Sequence, residues 1–249
     1  AQGFKAPEPN QINNGFANVV ANYRSVPNPD LRPERSRSFE GGARFVTDRG
    51  TFDVTAFDSR FRNFIDQVQV SGSFTAADPA VYQYINLGRV KIHGIEAKAD
   101  YRVYGDFGLR AAASWAKGTV TQTGATVSRP LDSVEPFKFV AGAFYQPKDG
   151  PFRAEIVATH SARKPQSRTN NSCNTTTTTC FTPPGFWIVD ATASFKLLDH
   201  ATLRAGLFNI FDKKYFWWSD VRGLTSTSTI RDAYTQPGRN FGLSIAANF

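Results

Sequence analysis

Asn240-Phe241-Gly242-Leu243-Ser244-Ile245-Ala246-Ala247-Asn248-Phe249 is the stretch whose reading decides the fold. The odd positions carry Phe, Leu, Ile, Ala and Phe, and the even positions carry Asn, Gly, Ser, Ala and Asn. Side chains on a strand alternate between faces, so this segment presents one apolar face and one small, polar face. The same alternation recurs upstream. Ile95, Ala97, Ala99, Tyr101 and Val103 alternate with Glu96, Lys98, Asp100 and Arg102. Phe107, Leu109, Ala111, Ala113 and Trp115 alternate with Gly108, Arg110, Ala112 and Ser114. Period two dominates the chain, and no long stretch favours a helical period.

About nine strands are expected, near 35–47, 51–64, 91–103, 107–118, 135–146, 152–162, 185–197, 201–214 and 238–249. Tight turns at 48–50, 104–106, 147–151 and 198–200 alternate with long links near 65–90, 119–134, 163–184 and 215–237. Gly, Pro and Asp supply the turn chemistry of the short set. Short turns on one rim and long loops on the other form the outer-membrane barrel pattern, in which apolar faces meet lipid and polar faces line a lumen. A soluble sandwich is not expected to segregate its loops so strictly. The fold class is therefore all-β, a transmembrane antiparallel β-barrel. Nine strands would leave an open edge, and unpaired backbone is costly in lipid, so further strands must precede these.

The composition fits a barrel. No run of about 18 apolar residues exists to make a transmembrane helix. The net charge of +8 comes from basic residues scattered among acids. Arg32, Arg35 and Arg37 form the one dense stretch, broken by Glu34 and Glu40, which argues against nucleic acid as a partner. In a barrel, such residues would line the lumen or meet anionic lipid headgroups. Ala1 reads as a cut point within a longer precursor, because an exported protein needs a leader and none opens this sequence. Cys173 and Cys180 bracket a polar SCNTTTTTC segment. A disulfide closing a small loop in an oxidising compartment is the expectation, with two free thiols as the alternative.

Three motifs give a family resemblance. Gly3-Phe4-Lys5-Ala6-Pro7, then Asn28-Pro29-Asp30-Leu31, resemble the FRAP and NPNL boxes of TonB-dependent outer-membrane receptors of the haem and haemoglobin (haemophore) branch. Asn86-Leu87-Gly88-Arg89 running into Gly94-Ile95-Glu96 resembles a strand entry of that family. Asn209-Ile210-Phe211-Asp212-Lys213-Lys214-Tyr215, with Pro237-Gly238-Arg239 and a terminal Phe249 after it, resembles its C-terminal ending. The resemblance implies that residues 1–249 are the last strands of a barrel of about 22 strands, with a plug and a TonB-contacting peptide encoded elsewhere. Phe249 would belong to the insertion signal read by the barrel-assembly machinery. The long loops would be extracellular and the short turns periplasmic. The implied function is outer-membrane import of haem or iron from haem, haemoglobin or a haemophore with energy from the TonB complex. Outer-membrane lipid and lipopolysaccharide would surround it.

Under that resemblance no covalent cofactor is expected, and haem would be the transported ligand. Members of the branch commonly place a histidine ligand between the two boxes. Here the interval from Glu8 to Pro27 has none, and Tyr23 is the one residue there able to ligate ferric haem, as a phenolate. Its neighbours Asn22 and Arg24 complete that candidate group. The plug or a haem-carrying partner remain other ways to hold haem. His93, His160 and His200 read as structural. Tyr215, Trp217 and Trp218 form a second candidate, able to stack on a flat ligand or to serve as an interfacial girdle. The rivals are a receptor for a ferric siderophore or carbohydrate, a passive porin or adhesin, and a soluble lectin-like sandwich. The sequence contains no HExxH, GxSxG or phosphate-binding glycine fingerprint, so it is not read as an enzyme.

Overall fold

The computed structural model describes residues 1–73, 75–122, 124–169, 179–198 and 201–247. Its strands are β1 (Gln2–Lys5), β2 (Phe16–Asn18), β3 (Tyr23–Val26), β4 (Glu34–Thr47), β5 (Gly50–Ser71), β6 (Ala80–Tyr104), β7 (Phe107–Thr121), β8 (Arg129–Pro130), β9 (Lys138–Tyr145), β10 (Phe152–Ser161), β11 (Phe186–Leu198), β12 (Ala201–Phe208) and β13 (Asn240–Ala247). Two one-turn helices, α1 (Pro9–Ile12) and α2 (Trp218–Val221), sit in connections. The sheet runs β1-β4-β5-β6-β7-β9-β10-β11-β12-β13, with β3 pairing β2 and β6, and β8 pairing β7. The chain divides into two compact units: Ala1–Phe39, Phe57–His93 and Gly118–Leu131 in one, and Glu40–Ala56, Gly94–Lys117 and Asp132–Phe249 in the other.

In the second unit, antiparallel register carries the sequence alternation across the sheet. Leu109, Ala143, Ile156, Ala191, Leu207 and Phe241 are successive cross-strand partners in one row. The adjacent row, on the opposite face, is Gly108, Phe144, Glu155, Thr192, Gly206 and Gly242. The apolar face is bare: Leu243 and Ile245 are each 68% exposed and Leu109 is 54% exposed. A soluble globule would bury such a surface, since contiguous exposed apolar area is normally kept small. Lipid is the solvent that fits it. No described helix is long and apolar enough to cross a membrane, a statement silent on strands.

The polar face is shaped by glycine. A Cβ at Gly108 would lie 2.2 Å from the Phe144 ring, and one at Gly206 would lie 2.6 Å from the Phe208 ring. Both rings lie down on backbone that has no side chain to lift them. Arg110 stacks on Phe144 at 4.5 Å and pairs with Glu155 at 3.1 Å and Asp100 at 3.6 Å. Expected charges of the alternating ladder therefore meet on this face.

The first unit departs from the expected boundaries. The link expected at 65–90 is largely strand: β5 continues to Ser71 and β6 begins at Ala80, with Ser73 N–H donating to Asp78 O across the hairpin end. β6 holds 25 residues, against the ~9–11 that cross a bilayer. The alternation is unreadable there because Asn63 adopts a left-handed φ of 57°, which shifts the parity of the downstream part of β5. The outer stretch also packs a local core, Leu87, Val90 and Val120 against Phe61, Ile85 and Ile92. The segment before residue 35, where the alternation gives no strand, contains β1 paired with β4, the β2–β3 hairpin and α1. β12 ends at Phe208 rather than 214 because Asn209 turns left-handed at φ 49°.

Candidate functional site

The segment between the two N-terminal boxes is shaped by proline and asparagine. Pro9 opens α1, where its missing N–H costs nothing, and the Gln11 side chain accepts the Glu8 N–H at 2.9 Å. Asn18 Oδ1 accepts the Ala21 N–H at 3.0 Å, and Asn22 adopts a left-handed φ of 50°. β3 then pairs in parallel with β6, with Tyr23 opposite Ala80 and Ser25 opposite Tyr82.

This puts Tyr23 into an aromatic stack. Its ring centroid lies 5.9 Å from Phe16 and 6.0 Å from Tyr82, the latter edge-on. Gln67 Nε2 donates to Ser25 Oγ at 3.1 Å on the same wall. Together with Asn14 and Tyr84 these residues line a cleft of about 460 Å³. Arg24 is exposed and points from the alternate position of the strand, while Asn22 is half-buried. The cleft offers flat aromatic walls, amide and hydroxyl groups, and the phenols of Tyr23, Tyr82 and Tyr84, a group type able to ligate a ferric centre. Among the described residues no group of three or more His, Cys, Asp or Glu could hold a bare metal ion.

The box residues act as clamps on backbone. Asn28 Nδ2 donates to Tyr84 O at 2.8 Å, and Asn28 Oδ1 accepts the Asp30 N–H at 3.1 Å, which sets the Pro29–Leu31 turn. Asn86 accepts the Arg32 N–H at 2.8 Å and donates to Arg32 O and Asn63 O, each at 2.8 Å. Phe4 and Lys5 lie on β1, and Lys5 pairs with Glu8 at 2.7 Å just past Ala6 and Pro7.

In the second unit, Tyr215 and Trp217 pack on Phe186 with centroids at 4.5 and 5.0 Å, and Lys138 stacks on Trp217 at 4.6 Å. Trp218 is only 2% exposed and donates its Nε1–H to Asp132 O at 2.6 Å. Lys164 lies over Trp218 at 5.3 Å and donates to Val134 O. Burial pushes the Tyr215 phenol above its ordinary value and holds the Lys164 ammonium below its own. These rings therefore knit three connections to each other. Below them, Asn209 donates to Lys213 O and Pro237 O and accepts the Lys213 N–H. Asp212 accepts the Arg239 N–H at 2.8 Å. His160 stacks on Trp187 at 4.6 Å. Cys180 is buried and bridges Thr225, while Cys173, His200 and Phe249 lie outside the described residues.

Residues 1–210 match the family described as TonB dependent receptor-like, beta-barrel. The chain belongs to this family. TonB-dependent receptors of this kind reside in the bacterial outer membrane, and the bare apolar rows of the sheet agree with that location. The chain is 24% identical over its whole length to a probable hemoglobin and hemoglobin-haptoglobin-binding protein 4 of Haemophilus influenzae, covering 27% of that protein. It is 26% identical over 88% of its length to transferrin-binding protein A of Neisseria gonorrhoeae, again covering 27% of it. Among solved structures, the copper transporter OprC superposes with a TM-score of 0.76 at 20% identity, over all of this chain and 36% of OprC. The ferric enterobactin receptor PfeA of Pseudomonas aeruginosa gives 0.68 at 19% identity, over all of this chain and 37% of that receptor. The chain thus spans between a quarter and two-fifths of the proteins it matches.

The structure unites Tyr23 with residues that the sequence reading does not single out. Tyr82 and Tyr84 are two apart on one strand, just before Asn86, and that same-face spacing is the available signal. Gln67 gives none. Tyr23 and the Tyr215–Trp218 group belong to different units and are described as separate groups.

Proposed function

We propose that this chain is the C-terminal barrel portion of an outer-membrane receptor that binds haem or a haem-carrying protein and passes haem iron inward with TonB energy. The observation that carries the ligand class is the Tyr23 cleft, an aromatic-walled recess with the phenols of Tyr23, Tyr82 and Tyr84 in its lining, held between the two clamped boxes. Relatives named for haemoglobin binding match across the whole chain, which supports the same reading. Haem is cargo here, not a resident cofactor. The role is transport: binding residues and backbone clamps account for the side chains at the site, and no bond-making step is assigned. The TonB complex would act through the part of the receptor outside this chain, and the barrel-assembly machinery would insert it.

Transferrin-binding relatives covering 88% of the chain favour one second reading, iron taken directly from a host iron protein. The full-length receptor in detergent separates the two. Titration with haemin should develop a Soret band, and Tyr23→Phe should weaken binding by at least about tenfold, ~1.4 kcal/mol. Saturable binding of iron-loaded transferrin without response to haemin or haemoglobin would replace the first reading by the second. Equal haemin spectra and affinity in the Tyr23→Phe receptor would remove Tyr23 as a ligand.

A further inference from the structure

The polar face of the second unit holds a cavity with no assigned role. Strand register sets Arg153 opposite Ser194, Ser194 opposite Arg204 and Arg204 opposite Ser244 in one row. The next row on the same face carries Glu155, Thr192, Gly206 and Gly242. With Arg110 and Phe208 they line a cavity of about 500 Å³, within the ~300–1,000 Å³ of pockets that hold small molecules. Every residue of the lining belongs to the second unit, whereas the Tyr23 cleft belongs to the first.

Two of its three arginines are uncommitted. Arg110 is taken up by Glu155 at 3.1 Å and Asp100 at 3.6 Å, and it rests on the Phe144 ring. Glu155 is the one carboxylate of the lining, and it is spent on Arg110. Arg153 and Arg204 make no ion pair or side-chain hydrogen bond among the described residues, and both are exposed. They stand two strands apart, about 9–10 Å at 4.7–4.9 Å per strand, with Ser194 between them. Beside them lies an apolar surface. The Phe208 ring is folded down over Gly206, comes within 3.6 Å of where a Gly242 Cβ would stand, and is still 39% exposed. Both glycines keep this floor low, and the bare ring offers a face for stacking.

A ligand that satisfies both parts is flat and apolar with two carboxylates on one edge. We propose that this cavity is a second porphyrin site on the lumenal wall, where Arg153 and Arg204 each take one propionate of haem and Phe208 takes its flat face. The inference rests on haem being the cargo. Two uncompensated guanidinium groups match the two negative charges of the propionates, and each planar fork suits one carboxylate. One small inorganic anion would meet one arginine and leave the ring bare. The grip is on edge and face, with no bond to iron, so iron-free porphyrin fits equally well. Arg153 is the second residue of β10 and Arg204 the fourth of β12, each just past a short turn. With the short turns on the periplasmic rim, as family polarity implies, cargo held here has crossed most of the wall.

The test uses full-length receptor in mild detergent, titrated with haemin by Soret absorbance and with iron-free protoporphyrin IX by fluorescence. The wild type should take two equivalents of haemin. Arg153→Gln/Arg204→Gln should keep the first at wild-type affinity and bind the second at least about tenfold more weakly, because two charge-assisted contacts are gone. Iron-free protoporphyrin IX should show the same loss, and its dimethyl ester should bind the wild type no better than it binds the double variant. A single haemin equivalent in the wild type would overturn the second site and leave the Tyr23 reading standing, as when a segment of the plug occupies the arginines. No haemin bound at all would remove the reading on which the site rests. Equal second-equivalent affinity in the double variant would overturn the proposal, as would ester binding equal to that of the free acid. The two substitutions touch no ion pair or side-chain hydrogen bond of the structure, so folding should survive. If the variant fails to fold, the comparison of free acid with ester on the wild type decides the matter.

Discussion

Asn209→Ala should open the turn that ends β12, and its cost can be worked from the geometry. The Asn209 side chain is 3% exposed and makes three hydrogen bonds: to Lys213 O at 2.9 Å, to Pro237 O at 3.1 Å, and from the Lys213 N–H at 2.8 Å. At about 1 kcal/mol net for each bond, their loss costs about 3 kcal/mol. The residue also sits at φ 49°, where alanine suffers a further ~1 kcal/mol that asparagine largely avoids. Asn209→Gly removes the bonds but not the backbone freedom, so it should cost about 1 kcal/mol less than alanine. The assay is amide hydrogen exchange by mass spectrometry on residues 209–215 of the full-length receptor. A loss of about 4 kcal/mol in local opening corresponds to roughly 700-fold faster exchange at Lys213 in the alanine variant, and about 3 kcal/mol to roughly 150-fold in the glycine variant, taking tenfold per 1.4 kcal/mol. Exchange within about threefold of wild type in Asn209→Ala would refute the clamp. So would a glycine variant that exchanges faster than the alanine variant.

Asn86→Ala should release the Arg32 backbone that its side chain holds from both sides, costing about 2–3 kcal/mol, and limited proteolysis should then cut faster within residues 27–33. Trp218→Phe keeps the ring but leaves Asp132 O without its indole donor, a loss of about 1–2 kcal/mol that should lower the thermal midpoint of loop protection by hydrogen exchange. Lys164 gives a pH signature. Its folded-state value lies below the ordinary 10.5 through burial, so the unfolded chain binds more protons between that lowered value and 10.5. Stability therefore rises with pH across that window and is lowest below it, and Lys164→Met should flatten the rise in alkaline denaturation curves.

The sheet itself is legible wherever the two faces of a strand meet different solvents. Leu109, Ile156 and Leu243 fall on the expected face, and the registers align them as the alternation requires. Legibility fails at Asn63, where one left-handed residue resets the parity, and in the outer parts of β5 and β6, where one face packs Val90 and the other carries arginines. Neither face there is a continuous apolar row, so the apolar-polar contrast that marks a membrane strand is gone. The motif asparagines announce turns but not their partners. Asn86 reaches a backbone 54 residues away, and Trp218 reaches Asp132 across 86. Such pairings come from sheet order, which local pattern does not encode. Tyr23 stands out in the sequence as a phenol between the two boxes, whereas Gln67 enters its cleft only through the β3–β6 pairing.

The rings of Phe144 and Phe208 lying over Gly108 and Gly206 make paired positions that evolution must change together. A β-branched residue at 108 would favour extended backbone in isolation, yet here it would collide with the ring on which Arg110 rests. Shortening Phe144 first would open space for a larger residue at 108, so the order of substitutions decides which sequences are reachable. Drift on this inner surface is therefore constrained by history as much as by preference, and a designer wishing to reshape the wall should alter the ring before the glycine.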